Sequence, residues 1–232
     1  MIFNGFDFTD LLVVEYIDRS LMPSISIEGT NIPGKHGMRF KEFVMAVTEI
    51  NVKCRIIGTS RIETQQRIRT IAGKLYTETP ARLELRDEPD KYNMAILSGS
   101  SDVEKWFATG YMVLTFQCTD IYAYSKVEKT ETLNTTFTNE GTHPSTTGII
   151  EVQPNIGDTL VISNGTKSLT LMNTFNGTET IKVFLEKQLI TRNDNNAMYL
   201  LTLDSDFFDI PTGSATITAT GTGTVTYVER WV

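Results

Sequence analysis

Hydrophobic and polar residues alternate along the chain in short stretches, and most of these stretches predict β-strands. In the first half the pattern predicts strands over 11–18, 42–49, 51–58, 81–86, 92–97 and 111–118. One segment breaks the two-residue rhythm. Ser60 followed by Glu63 has the spacing of a capping box, and Ile68, Ile71, Ala72 and Leu75 then fall on one helical face. An amphipathic helix is therefore predicted near 60–77, with Arg61, Gln65 and Arg69 on its solvent side. In the second half strands are predicted over 148–152, 159–163, 168–172, 180–185, 198–203, 214–220 and 224–231. Asn164-Gly165, Asn176-Gly177 and the run Asn193 to Asn196 separate several of them, and Asn-Gly pairs accept the positive φ that tight hairpins need. Near the end, Ile217 and Ala219, then Val225 and Tyr227, alternate with threonines, which predicts two half-buried strands joined around Gly221 and Gly223.

Composition divides the chain. Residues 1–125 hold 11 threonines and residues 126–232 hold 23, while net charge moves from −2 to −5. Two domains are expected, 1–125 and 126–232, each of ordinary size. The fold class expected is mainly β. The first domain is read as a β-sandwich or split barrel carrying one helix, and the second as a β-sandwich of jelly-roll type.

Several function classes are disfavoured by what the chain carries. A net charge of −7 argues against a general phosphate-binding surface, so sequence-specific nucleic-acid binding is not expected. The apolar runs are a few residues long against the roughly 20 a bilayer span needs, and no membrane insertion is expected. The acidic start MIFNGFDFTD does not read as a secretory signal, so synthesis in a cytoplasm is expected. Cys54 and Cys118 read as buried thiols, and no spacing suits a metal site. Only His36 and His143 could serve a catalytic triad, both in loops, and no nucleophile elbow is present. Two acidic clusters, Asp204, Asp206 and Asp209, and Glu84, Asp87, Glu88 and Asp90, could supply a glycosidase acid and base. Tyr122, Tyr124, Phe175, Phe207, Phe208 and Trp231 could stack on sugar rings. No catalytic residue, cofactor or metal is assigned, and a carbohydrate-binding sandwich module stands as the alternative to a structural role.

Taken in order, FNGFD at 3–7, IPGKHG at 32–37, the helix ending near Leu75, LELRDEPDKYNMAIL at 83–97 and FQCTDIYAYS at 116–125 resemble a known family. NEGTHPS at 139–145 and DSDFFDIPTGSATIT at 204–218 continue the likeness. The family is the distal tail protein of long-tailed, non-contractile bacteriophages of Gram-positive hosts, in the plain form without an inserted carbohydrate-binding module. One departure is Ile121, where members often have proline after the aspartate.

The resemblance implies a virion protein of the tail tip, made in the host bacterial cytoplasm. It implies a hexameric ring of first domains, single or doubled, that continues the tail tube and lets DNA pass. The implied second domain is a galectin-like sandwich that docks other proteins. The partners implied are the major tail tube protein, a tail-associated hub or lysin protein, and receptor-binding or peripheral baseplate proteins. Two turn-rich segments are expected near such contacts. One is Ile32, Pro33, Gly34, Lys35, His36, Gly37 and Met38; the other holds Arg86, Asp87, Glu88, Asp90 and Tyr92.

Overall fold

The structure is a computed structural model that describes residues 1–100, 104–106 and 109–232. Among the described residues it is mainly β with one α-helix, and the chain divides into two compact units, Met1–Ala123 with Val232, and Tyr124–Trp231.

The first unit is built on a sheet whose long members are β3 (Val13–Arg19), β6 (Thr48–Ile57), β7 (Ala81–Glu84), β8 (Lys91–Ser100) and β10 (Thr109–Ser125). Short strands β1 (Ile2–Phe3), β2 (Phe6–Asp7) and β9 (Glu104–Trp106) extend it, and the main order is β2-β1-β7-β8-β10-β6-β3. Strand β10 pairs with β6 over ten residues, from Thr109 opposite Ile57 to Cys118 opposite Thr48. Its alternation is the cause of its two-sidedness. Gly110, Met112, Leu114, Phe116 and Cys118 are buried, and the residues between them face outward by degrees. Helix α1 (Arg61–Leu75) closes this core with Ile71 and Leu75. Ser60 accepts a hydrogen bond from Glu63 N–H, while the Glu63 carboxylate reaches back to Thr59 N–H at 2.8 Å, so the cap is reciprocal but displaced by one residue.

Strands β4 (Ile25–Asn31) and β5 (Met38–Met45) form a separate two-stranded hairpin between β3 and β6. The sequence pattern predicted one strand over 42–49; instead β5 ends at Met45 and β6 starts at Thr48, with Ala46 and Val47 between them. Neither β4 nor most of β5 was expected.

The second unit stacks several sheets around one core. Its strands are β11 (Lys129–Thr132), β12 (Thr136–Asn139), β13 (Ile149–Pro154), β14 (Gly157–Ser163), β15 (Ser168–Phe175) and β16 (Ile181–Phe184). There follow β17 (Leu189–Arg192), β18 (Asn195–Asn196), β19 (Gly213–Thr216), β20 (Thr218–Ala219) and β21 (Gly221–Tyr227). The largest sheet has the order β11-β21-β13-β16-β17-β18, beside a three-stranded sheet β15-β14-β20 and the pair β12-β19. Registers line up Val225, Ile150, Val183 and Ile190 in one row, and all four are fully buried. The neighbouring row, Thr132, Thr224, Glu151, Lys182 and Thr191, faces the other way.

Two expectations change here. Residues 198–203 were expected as a strand, but Met198–Leu200 is a 3₁₀ turn, begun by Asn196 whose side chain accepts from Met198 N–H at 3.0 Å. Gly221 and Gly223 were expected at a hairpin turn, yet both lie inside β21. A Cβ on Gly223 would sit 1.9 Å from the Glu151 carbonyl oxygen, so only glycine lets β21 approach β13 this closely.

Candidate functional site

The hairpin β4–β5 carries the clearest feature of an interaction surface. All of its strand residues are exposed except Met45, which is half-buried. Register pairs Ile25 with Met45, Ile27 with Phe43, Gly29 with Phe40 and Asn31 with Met38. Alternation therefore places Ile25, Ile27, Met38, Phe40, Phe43 and Met45 on one face. The opposite face holds Ser26, Glu28, Thr30, Arg39, Glu42 and Val44. Phe40 and Phe43 are 58% and 54% exposed and Ile27 is 57% exposed.

Strict alternation would send Phe40 and Phe43 to opposite sides. The register shifts between Glu28 and Gly29, and Lys41 is the extra residue that restores both rings to the same face. Gly29 is part of the same device. A Cβ there would lie 2.7 Å from Met38 Sδ, so its absence lets the Met38 side chain lie across β4. The segment Ile32–Met38 is the tip of this hairpin, closed by Lys35 N–H donating to Ile32 O at 3.1 Å, with Pro33 and Gly34 at the corner. His36, Gly37 and Met38 complete an exposed tip.

A two-stranded hairpin is marginal in water by itself. Burial of the exposed parts of five apolar side chains on this face is worth roughly 1 kcal/mol apiece. That is the magnitude of stabilisation the hairpin lacks while uncovered.

The second segment is organised differently. Asp87 and Glu88 both take a guanidinium nitrogen of Arg19, the Asp87 contact being 2.6 Å, and Lys91 lies 3.4 Å from Glu88 and 3.7 Å from Asp90. Arg86 is exposed, and the Tyr92 ring lies under the Arg82 guanidinium at 4.0 Å. These ion pairs clamp the turn before β8 onto the end of β3. The two segments are thus unlike: one is an uncovered apolar arm, the other a charge-locked turn.

Asp204, Asp206 and Asp209 are exposed on the connection that hydrogen-bonds along β15 through Asp206 N–H to Ser168 O at 3.0 Å. Among the described residues no group of His, Cys, Asp and Glu could hold a metal ion. Phe175 and Phe208 belong to the core, and Phe207 packs partly against it. Burial pushes the Cys54 thiol up to about 12 and Cys118 up to about 11, so both thiols stay protonated and inert at neutral pH. No helix among the described residues is long and apolar enough to cross a membrane.

Comparison with known proteins gives the class. The model for the phage tail protein RIFT-related domain matches residues 7–118, and that for the siphovirus-type tail component, C-terminal domain, matches residues 129–231. Together they account for nearly the whole chain. The chain belongs to the distal tail proteins of siphophages. Among solved structures, it superposes on the crystal structure of the SPP1 Dit (gp 19.1) protein with a TM-score of 0.85 at 19% identity, covering 100% of this chain and 98% of that one. That protein is described as a paradigm of the hub adsorption apparatus in phages infecting Gram-positive hosts, and at this identity the likeness establishes the fold. Looser matches to the activated phage P2 baseplate, with Ca and with Sr, have TM-scores of 0.49 and 0.48 at 9% and 10% identity. They cover 98% and 97% of this chain and 93% and 92% of those chains. A search of the curated proteins found no match.

Proposed function

We propose that this protein is a structural hub of the phage tail tip, without catalysis. In this reading six copies close through their first units into a ring that continues the tail tube, singly or as a double ring. The second unit docks receptor-binding or other baseplate proteins, and DNA passes through the channel. The observation that carries it is the uncovered apolar face of hairpin β4–β5, which a chain acting alone would not maintain. Contacts through Ile32–Met38 and Arg86–Tyr92 belong to the same proposal. The hairpin is its main joint, because the acids Asp87 and Glu88 are already engaged by Arg19. An acidic ring also suits a DNA channel: at −7 per copy, six copies discourage phosphate from adhering to the wall.

The test is complementation of a phage lacking this protein. Wild-type chain restores tails with complete tips, while Phe40→Asp and Phe43→Asp chains fold but leave tails without them. Complete, infectious tails with both variants would overturn the reading.

A further inference from the structure

Asn-Gly occurs three times in the chain, at Asn4-Gly5, Asn164-Gly165 and Asn176-Gly177. With no Cβ, glycine obstructs least the attack of its own backbone nitrogen on the preceding asparagine side chain. The three pairs are equal as dipeptides, and the fold makes them unequal. We propose that Asn4 is a self-modification site of the folded protein, converted to aspartate and isoaspartate through attack by the Gly5 nitrogen, while Asn164 and Asn176 are held back.

The step needs no co-reactant but water. The Gly5 backbone nitrogen gives its proton to solvent and bonds to Asn4 Cγ, and the side-chain amide takes up a proton and leaves as ammonia. A cyclic succinimide remains. Water opening it at Cγ gives aspartate; water opening it at the backbone carbonyl leaves the chain running through the side chain as isoaspartate. No atom is oxidised or reduced.

Hydrogen bonding separates the three pairs. Asn4 and Gly5 are the two loop residues of the β1–β2 hairpin, both exposed, with φ of 49° and 74°, between the paired Phe3 and Phe6. Among the described residues, neither the Asn4 side chain nor the Gly5 N–H has a hydrogen-bond partner. Attack requires the Asn4–Gly5 peptide to rotate, and nothing lies within 4 Å of a Cβ position on Gly5 to obstruct it. Asn164 is the opposite case. Its Oδ1 accepts from Thr166 N–H at 3.0 Å and Lys167 N–H at 2.9 Å, and its Nδ2 donates to Asp209 O at 3.2 Å. The nitrogen that would attack it is itself engaged, since Gly165 N–H donates to Ser163 Oγ at 3.0 Å. Asn176 Oδ1 accepts from the Thr178 N–H and hydroxyl at 2.9 and 2.6 Å, and the Gly177 carbonyl accepts from Gln153 Nε2 at 2.7 Å. Each hydrogen bond that must break first slows attack by roughly fivefold, so Asn4 should outpace both others by at least about tenfold.

The turn is tied to the core on either side. Phe3 is fully buried, and Asn4 N–H donates to Arg82 O at 3.0 Å. Aspartate at this position adds a negative charge. Isoaspartate also inserts a methylene carbon into the backbone of the loop, so the Phe3–Phe6 pair and the bond to Arg82 must shift. Chain that ages in solution thus acquires a second, more acidic form.

Peptide mapping of the full chain, aged in mildly alkaline buffer made with heavy-oxygen water, tests this against urea-unfolded chain. The unfolded reference should take label at all three asparagines at similar rates. The folded chain should take it first at Asn4, as aspartate and isoaspartate, with Asn164 and Asn176 at least about tenfold slower. Three equal rates in the folded chain, or label at Asn164 or Asn176 ahead of Asn4, would overturn the proposal. On isoelectric focusing, ageing should convert wild-type chain to a more acidic band, and an Asn4→Asp chain should show no further shift over the same period. A shift that proceeds at the wild-type rate in Asn4→Asp would overturn it as well.

Discussion

Phe40 and Phe43 stand three residues apart on one strand yet share a face, because Lys41 is bulged out between the positions paired with Gly29 and Glu28. A regular strand would have placed one ring on each side. The bulge thus turns an ordinary-looking hairpin into an arm with one continuous apolar face. It lies in the half of the molecule matched by the phage tail RIFT-related model.

Deleting Lys41 should therefore heal the bulge and leave the apolar face intact. Without it Phe40 and Phe43 stand two positions apart, and ordinary alternation keeps both rings on one side with the Gly29–Phe40 and Glu28–Glu42 pairs preserved. We expect assembly to stay at wild-type strength, with thermal stability of the isolated chain unchanged within about 0.5 kcal/mol, and a loss of assembly would contradict this account of the bulge. Light scattering across a concentration series and a melting curve measure the two quantities together.

Gly29→Val is expected to weaken assembly by a different route. The new Cβ meets Met38 Sδ at 2.7 Å and the Arg39 carbonyl oxygen at 2.8 Å, so the two strands must part. Hydrogen exchange of the β4 and β5 amides should speed up in the variant while β6 and β10 keep their protection. Unchanged β4–β5 exchange would contradict this account of the glycine.

Gly223→Ala should be among the most damaging single-methyl additions to the second unit. Its Cβ would stand 1.9 Å from Glu151 O, a backbone atom with no flexible end to give way. We expect a loss on the order of 3 kcal/mol, the upper range for overpacking a sheet interior. Chemical denaturation followed at Trp231 measures it, and a loss below about 1 kcal/mol would show that β13 and β21 can separate without cost.

Acid sensitivity of the second unit should run through Glu179. Burial opposes ionisation of this carboxyl, but the Arg192 guanidinium at 2.6 Å and the Asn176 N–H outweigh it and hold its pKa below the usual carboxylate range. A depressed folded-state pKa gives stability that is full above the unfolded value and lost as pH falls through the folded one. Glu179→Gln should therefore flatten the acid limb of a stability-versus-pH curve below about pH 5. Arg192→Met leaves a buried unpaired carboxylate and should cost roughly 3 kcal/mol at pH 7, the low end for such a break. The low end is apt because Arg192 keeps 27% of its side chain in water.

Much of the fold was legible because its periods are clean. Strand β10 buries every second residue from Gly110 to Cys118, and α1 repeats Ile68, Ile71 and Leu75 behind a Ser60 cap, so both declare themselves. Strands β11 and β12 were missed because Lys129–Thr132 and Thr136–Asn139 are short and mostly polar, one of them a sheet edge with no apolar stripe to show. The hairpin was missed for a physical reason too. Its bulge breaks the two-residue rhythm at Lys41, and Val44 adds an apolar residue on the polar face. The apolar residues flanking the IPGKHG tip, Ile25 and Ile27 before it and Phe40 and Phe43 after it, were the available signal. The tip declares itself through Pro33, Gly34 and Gly37; the face behind it does not.

The mass of the purified chain, followed as its concentration rises, tests the central claim most directly. The account predicts a step from one to six copies of the 26.0 kDa chain, or to a doubled ring, that Phe40→Asp abolishes without unfolding the monomer. A wild-type chain that stays single at every concentration, and whose Phe40 is as accessible to labelling in finished tails as in solution, would contradict it.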